Sequence, residues 1–411
     1  MTENFTELAF TENGKALQEQ YGTRAALSKD GEQKQISQQA HLGEKMTQQL
    51  LTPFTLGPHQ LRNRVIMAPL TRMRSLPGNV PGPLNATYYG QRASMGLIIS
   101  EATQVSPEGI GYPGTPGIHS PEQVAGWKLI TQAVHERGGK IFLQLWHVGR
   151  VSHPSLQKDN ALPLAPSAVP MQSPVFTDTG DLDDPVTPRA LELEEIPKII
   201  DQYRAGARNA LEAGFDGVEV HSAYGYLLDQ FLQDGTNQRT DNYGGSFENR
   251  TRLLLQVVEA VTEVVGADSV GVRLSPHGTF NDMSDSNGEE LFAYVVKSLN
   301  PFGLAYLHLV EPRTAGGNDV SDYKGEAITG VLRKLFNGTM ISAGGYDRES
   351  GNQAIEKGIA DLIAYGRQAI ANPDLPERFA KKAQLNPYDR ATFYGGDERG
   401  YTDYPESEAN K

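Results

Sequence analysis

From residue 65 onward, short apolar runs recur along the chain, with longer stretches of helical pattern between them. The runs are VIMAPL (65–70), GLIISEAT (96–103), KIFLQLW (140–146), GFDGVEVHS (214–222), VGVRLSP (270–276), LAYLHLVE (304–311), TMISAGGY (339–346) and DLIAYGR (361–367). In one of the gaps Ile196, Ile199, Ile200, Tyr203 and Ala207 recur at i, i+3, i+4, i+7 and i+11, an apolar stripe suited to packing on a strand layer. Strands alternating with helices imply right-handed βαβ units and a parallel sheet. Eight units predict an α/β fold closed into a (β/α)8 TIM barrel, with an open doubly wound sheet as the alternative.

Three segments stand outside this rhythm. TQQLLTPFTLGPHQLRNRV, just before the first run, reads as an N-terminal β-hairpin around Leu56, Gly57 and Pro58. Residues 1–45 are rich in Gln, Glu, Thr and Lys and read as a flexible or loosely helical extension, which leaves 46–411 as the barrel. After the third run, residues 152–187 are Pro-rich and acidic towards their end. A loop of that length, leaving the strand ends, is expected to be a lid over the barrel mouth.

Composition narrows the function classes. A formal net charge of -13 with no evident basic face argues against nucleic acid or an anionic membrane as partner. The chain has no cysteine, which excludes disulfides, thiolate zinc sites and Fe–S clusters. The first fifteen residues lack an apolar core of the secretory kind, and no apolar run approaches the roughly 18 residues of a membrane span. A cytoplasmic enzyme acting on a small molecule is the expectation, as a monomer or weak homodimer.

A barrel keeps its chemistry at the C-terminal ends of its strands. Read in order, those ends carry Ala68-Pro69-Leu70-Thr71, Ala102, Gln144 with Trp146, His221, Arg273, Gly344-Gly345 and Gly366-Arg367. The glycines and Arg367, after the last two strands, suit a phosphate, because bare backbone N–H groups can approach it closely. Gln144 and Arg273 suit the polar edge of a heterocycle and Thr71 its other edge. Together they favour flavin mononucleotide over a sugar phosphate. No strand end carries the lysine that a Schiff-base aldolase requires.

Other motifs carry less. Gly109-Ile110-Gly111-Tyr112-Pro113-Gly114 has dinucleotide-fingerprint spacing, but it neither follows a strand directly nor opens a helix. Tyr112 on that loop is a candidate pocket residue instead. His147 has no second ligand at metal spacing, and His308 falls mid-strand, so no metal site is expected. The turn at 241–250 reads as a helix cap.

Six motifs extend the pattern: MAPLTRMRS (67–75), YYGQRASMGLIISEATQVSPEGIGYPGTPGIHS (88–120), QLWHVGRVSH (144–153), QFLQDGTNQRTDNYGGSFENR (230–250), AYGRQAIANPDL (364–375) and FYGG with GYTDYP (393–405). Across nearly all of 47–405 they resemble the Old Yellow Enzyme family of ene-reductases, nearest its bacterial N-ethylmaleimide and nitrate-ester reductases. The resemblance implies non-covalent FMN, with NADPH as reductant (NADH as alternative). It also implies ping-pong reduction of the activated C=C bond of enones, maleimides or nitroalkenes by way of flavin N5. It assigns Thr71, Ala102, Gln144 and Arg273 to the flavin ring and Gly345, Gly366 and Arg367 to its phosphate. Tyr112, Trp146 and Tyr394 become pocket walls, His221 a donor to the substrate oxygen, and Tyr226 the proton donor.

One position departs from the family pattern H-x-A-[H/N]-G-Y. This chain reads His221-Ser222-Ala223-Tyr224-Gly225-Tyr226. Tyr224 either still donates to the substrate oxygen, crowds the flavin face, or turns away and leaves His221 alone. The candidate catalytic set is therefore His221, Tyr224 and Tyr226. A flavin-binding barrel of low turnover, retained for binding or regulation, is the competing function.

Overall fold

The computed structural model describes residues 49–407, apart from 313, 316–317 and 320–326. The extension expected over 1–45 lies outside the described residues. All eight apolar runs form strands: β1 (Val65–Met67), β2 (Leu97–Ile99), β3 (Ile141–Trp146), β4 (Gly217–Ser222), β5 (Val270–Leu274), β6 (Tyr306–Val310), β7 (Met340–Ala343) and β8 (Leu362–Tyr365). Each pairs in parallel with the next, β8 pairs with β1, and β3 pairs with β4, so the sheet closes. The barrel expectation holds and the open-sheet alternative falls.

Helices cover the outside: α1 (Pro83–Gln91), α2 (Pro121–His135), α3 (Ile196–Glu212), α4 (Leu227–Leu232), α5 (Phe247–Val265), α6 (Gly288–Leu299), α7 (Ile328–Arg333), α8 (Arg348–Glu356), α9 (Arg367–Ala371) and α10 (Leu375–Lys381). The stripe on α3 is buried at Ile196, Ile199, Tyr203 and Ala207 and packs in the large outer core with Leu143, Leu145, Val218 and Val220. Full burial of each large aliphatic side chain contributes roughly 1.5–3 kcal/mol. Ser246 caps α5 by accepting from the Asn249 N–H at 3.3 Å, as the 241–250 motif implies.

The hairpin forms where expected, Phe54–Leu56 antiparallel to His59–Leu61. Its Leu56 and Leu61 join Ile66, Leu97, Ile99, Phe142, Tyr306, Ile341 and Leu362 in a separate apolar cluster that fills one end of the barrel. The other end is left to polar side chains.

The excursion after β3 is built from short pieces. Leu164–Ala165 pairs with Arg189–Ala190, and Val175–Phe176 pairs with Leu182–Asp183. The Asp282 carboxylate accepts from the Gln172 and Ser173 N–H groups at 2.7 and 2.9 Å. Arg150 donates to Val169 and Asn281 carbonyls at 3.1 and 3.0 Å. Both tie the excursion to the loop after β5. No helix among the described residues is long and apolar enough to cross a membrane.

Candidate active site

A cavity of about 890 Å³ opens at the C-terminal ends of the strands. The structure brings Ala68, Pro69, Leu70, Thr71, Ala102, Tyr112, Gln144, His221, Tyr224, Tyr226, Arg273, Gly344, Gly345, Gly366, Arg367 and Tyr394 into its lining. Parallel register explains the inner layer. Gln144 is the β3 partner of Glu219 on β4, His221 is the β4 partner of Arg273 on β5, and Arg273 is the β5 partner of His308 on β6. Side chains two apart on a strand share a face, so Glu219 and His221 point the same way.

Glu219 is the residue that sequence reasoning missed. Fully buried, it accepts from Gln144 Nε2 at 2.6 Å and pairs with His308 Nδ1 at 2.8 Å. Burial alone would raise its carboxyl, but His308, Arg273 and Gln144 outweigh it and hold the pKa below the ordinary range. An ionised Glu219 needs a donor from Gln144, which fixes that amide and leaves its carbonyl oxygen for another group. The signal was a lone charge in VEVHS, two residues before His221 and on the same face.

Arg273 is 5 % exposed and makes no ion pair among the described residues; its Nε has no hydrogen-bond partner there. His221 Nδ1 is likewise unpartnered. Burial, then the Arg273 and His308 charges, hold the His221 imidazole well below its ordinary pKa, so it is neutral. A buried cation with no direct ion pair, offset only by the Glu219 charge and an aromatic ring, is costly unless a ligand supplies a partner. Around the cavity, Gly344 (φ 118°) and Gly345 (φ 66°) turn in backbone regions that side chains disfavour. A Cβ on Gly344 would stand 3.0 Å from Thr314 Oγ1. These groups fit FMN: donors and a cation for a polar ring edge, and bare backbone with Arg367 for a phosphate.

The opposite wall is aromatic. Tyr226, which precedes α4, places its hydroxyl 2.9 Å from the Tyr112 hydroxyl. Burial pushes the Tyr112 phenol up to about 12, and burial with Tyr112 beside it carries Tyr226 well above its ordinary value. Trp146 does not reach the cavity. It is fully buried behind the wall, stacked on Tyr112 at 5.7 Å and on His221 at 6.5 Å, with Tyr226 edge-on at 5.0 Å. The loop that carries Tyr112 packs against it. That loop contains the apparent dinucleotide motif. Its Gly111 is needed for close approach, since a Cβ there would stand 2.1 Å from the Val151 carbonyl oxygen.

Tyr224 adopts a left-handed backbone, φ 56°. Its N–H donates to Ser275 Oγ at 2.7 Å and its carbonyl accepts from Asn281 Nδ2 at 2.8 Å. The ring lies over the Arg273 guanidinium at 5.1 Å, with Phe280 edge-on at 5.8 Å and His221 at 6.5 Å. Val175 and Phe176 of the excursion also line the cavity, with Phe176 against Tyr112 at 5.4 Å.

Tyr394, half-exposed, and Phe393 come from the C-terminal segment, which guanidinium groups fasten to the barrel. Arg72 donates to the Phe393 and Gly400 carbonyls at 2.9 and 2.8 Å, and Arg74 to those of Asp397 and Thr392 at 3.0 Å each. Tyr401 stacks on Tyr88 at 4.1 Å. Beside this clasp, buried Glu101 accepts from the Arg72 N–H at 3.1 Å and the Tyr89 hydroxyl at 3.2 Å. His147 Nδ1 accepts from the Gly149 N–H at 3.1 Å, and burial lowers its pKa to about 4.

A closed barrel with a polar inner layer, an unpaired cation and a glycine-lined end defines a cofactor-binding oxidoreductase of the flavin class. The chain belongs to the NADH:flavin oxidoreductase / NADH oxidase family, whose profile matches residues 49–386. It is 52% identical over 361 residues to 12-oxophytodienoate reductase 1 of Oryza sativa subsp. japonica, covering 87% of this chain and 92% of that one. It is 48% identical to 12-oxophytodienoate reductase 2 of Arabidopsis thaliana over 367 residues, covering 89% and 97%. Among solved structures, morphinone reductase in complex with tetrahydroNAD superposes with a TM-score of 0.83 at 50% identity, covering 88% of this chain and 98% of the other. The sequence resemblance to Old Yellow Enzymes is thereby borne out.

Proposed function

We propose that this chain is an FMN-dependent ene-reductase that takes electrons from NAD(P)H and reduces the activated C=C bond of enones, maleimides or nitroalkenes. The observation that carries the reading is the unpaired, buried Arg273 beside neutral His221, facing the Tyr226–Tyr112 pair across one cavity. The names of the relatives, a morphinone reductase and 12-oxophytodienoate reductases, support a reductase. NADPH is the donor proposed from the resemblance; the neighbour solved with tetrahydroNAD supports testing NADH beside it.

FMN, when bound, supplies the redox chemistry that links dinucleotide and alkene. The protein supplies the rest. Arg273 sets a fixed positive charge in the inner layer, which favours a cofactor that gains negative charge on reduction. His221, neutral, offers one N–H to the substrate oxygen, and the Tyr224 hydroxyl offers a second donor. Such bonds strengthen as charge develops on that oxygen, so they act on the transition state. Tyr226 stays protonated at working pH and delivers a proton to the carbon next to the activating group. Tyr112, 2.9 Å away, stabilises the oxygen left behind.

Anaerobic mixing tests the reading. NADPH should bleach the flavin, and 2-cyclohexenone should restore its colour. Protein that bleaches and stays bleached across enone, maleimide and nitroalkene is instead the low-turnover binding barrel. Colourless protein that takes up no FMN sinks both.

A further inference from the structure

Behind the main cavity lies a second one of about 400 Å³, lined by Ser275, Pro276, His277, Val310, Glu311 and neighbours. The two cavities share a wall made of Tyr224, Thr279, Phe280 and Thr314. We infer that the Tyr224 ring is the partition that sets the size of substrate this enzyme accepts, and that the space behind it takes a neutral, ring-sized substituent of a cyclic enone.

The inference rests on the ene-reductase reading for its substrate class, but its geometry is independent. Tyr224 is held at both ends of its backbone, by Ser275 Oγ and Asn281 Nδ2, in a left-handed turn that aims the side chain at the shared wall. The ring itself is held only by packing, face against Arg273 and edge against Phe280, and its hydroxyl has no hydrogen-bond partner among the described residues. Removing it therefore breaks no hydrogen bond of the scaffold and opens one chamber into the other. Glu289 and Glu311 line the second chamber, so an anionic substituent is disfavoured there. The Glu311 carboxylate is already occupied by the Ile328 and Thr329 N–H groups at 3.0 and 3.1 Å, so it does not supply a cation site. Apolar contact with Phe280, Pro276, Val310 and Pro312 is what the chamber offers.

The test is a ratio: kcat/KM for phenyl-substituted 2-cyclohexenones over kcat/KM for 2-cyclohexenone, measured on holoenzyme. Any loss of a hydrogen bond to the shared carbonyl cancels in it. Tyr224→Asn and Tyr224→Gly both tolerate the left-handed backbone and should raise the ratio about tenfold or more, the scale of discrimination by apolar pocket volume. Tyr224→Phe, which keeps the ring, should leave the ratio where it is. Adding Val310→Phe to Tyr224→Asn fills the second chamber alone and should reverse the gain. An unchanged ratio in both the Asn and Gly variants overturns the partition, as does a gain that Val310→Phe leaves intact. Calorimetric binding of cyclohexanone and phenylcyclohexanones reads the same partition without turnover. If the ketones bind in the expected order while neither enone is reduced, the reductase reading fails and the partition stands.

Discussion

The cavity has a strand-borne side and a loop-borne side, and they are held by different means. Gln144, His221 and Arg273 stand in the sheet itself, where ladder hydrogen bonds and register fix each Cα against its neighbour. Phe176 has only a two-residue ladder inside the excursion, and Tyr112, Tyr224 and Tyr394 stand on connections whose backbone groups have no ladder to join. Guanidinium groups take its place, Arg72 and Arg74 for the C-terminal segment and Arg150 for the excursion. One guanidinium has five N–H donors, so a single side chain can satisfy several loop carbonyls. The strand side is thus built for one fixed partner and the loop side for partners that vary. On the proposed function, the first serves the cofactor and the second the substrate.

If that division is right, a loop-side variant should damage only the half-reaction that involves the alkene. Tyr226→Phe removes the proposed acid while keeping its ring against Trp146 and His221. Enone reduction should slow by about 10²–10⁴-fold, the usual worth of a positioned general acid, with flavin reduction by NADPH unchanged. Stopped-flow measurement of the two half-reactions separates them. Equal slowing of both would erase the distinction between the walls.

The strand side should fail differently. Arg273→Met takes the cation from the inner layer and leaves Glu219 with only His308 and Gln144 to offset its burial. Flavin content of the purified protein should fall, the potential of the retained flavin should drop, and turnover should decrease by about 10²–10³-fold. Absorbance of flavin against protein reads the first effect without any substrate. Full occupancy at an unshifted potential would show that Arg273 does not face the cofactor.

Rigidity on that side carries a stability cost that pH exposes. Glu101 follows β2, and burial, opposed by the Arg72 N–H and charge and by Tyr89, raises its carboxyl from 4.5 to about 7. The folded protein therefore binds a proton that the unfolded chain has released between those two values. Stability is lost as pH rises through that window, by about 3 kcal/mol in all. Glu101→Gln has no charge to bury, so its advantage over the parent should grow from pH 5 to pH 8. Urea midpoints at the two pH values measure it; parallel curves would mean that Glu101 is already ionised at the lower one.

The same division explains what was legible in the sequence. Each of the eight barrel strands was visible as an apolar run, and the strand-end residues followed because a barrel has one chemically active end. Glu219 escaped because it sits inside such a run, where its charge was read as part of VEV rather than as the inward neighbour of His221. The loop side was legible in part: Tyr112 and the excursion stood out from the residues, while Tyr394 came only through resemblance. Arg72 meets the Phe393 carbonyl across 321 residues of sequence, and no local pattern announces a contact of that range. Trp146, a pocket wall by the resemblance, is fully buried against three aromatic neighbours.

The smallest effect tests whether the loop side does more than shape the cavity. Tyr112→Phe keeps the ring stacked on Trp146 and against Phe176 and deletes only the hydroxyl facing Tyr226. If Tyr112 supports the oxygen of the proton donor, the loss is that of one buried neutral hydrogen bond, roughly 1–1.5 kcal/mol. Enone reduction should then slow by about tenfold in kcat with KM unchanged, and flavin reduction should keep its rate. A change confined to KM would make Tyr112 a wall and nothing more. The double variant with Tyr226→Phe sharpens this: with no phenol left to support, removing the second hydroxyl should cost nothing further, whereas additive losses would mean that the two hydroxyls act on the substrate separately.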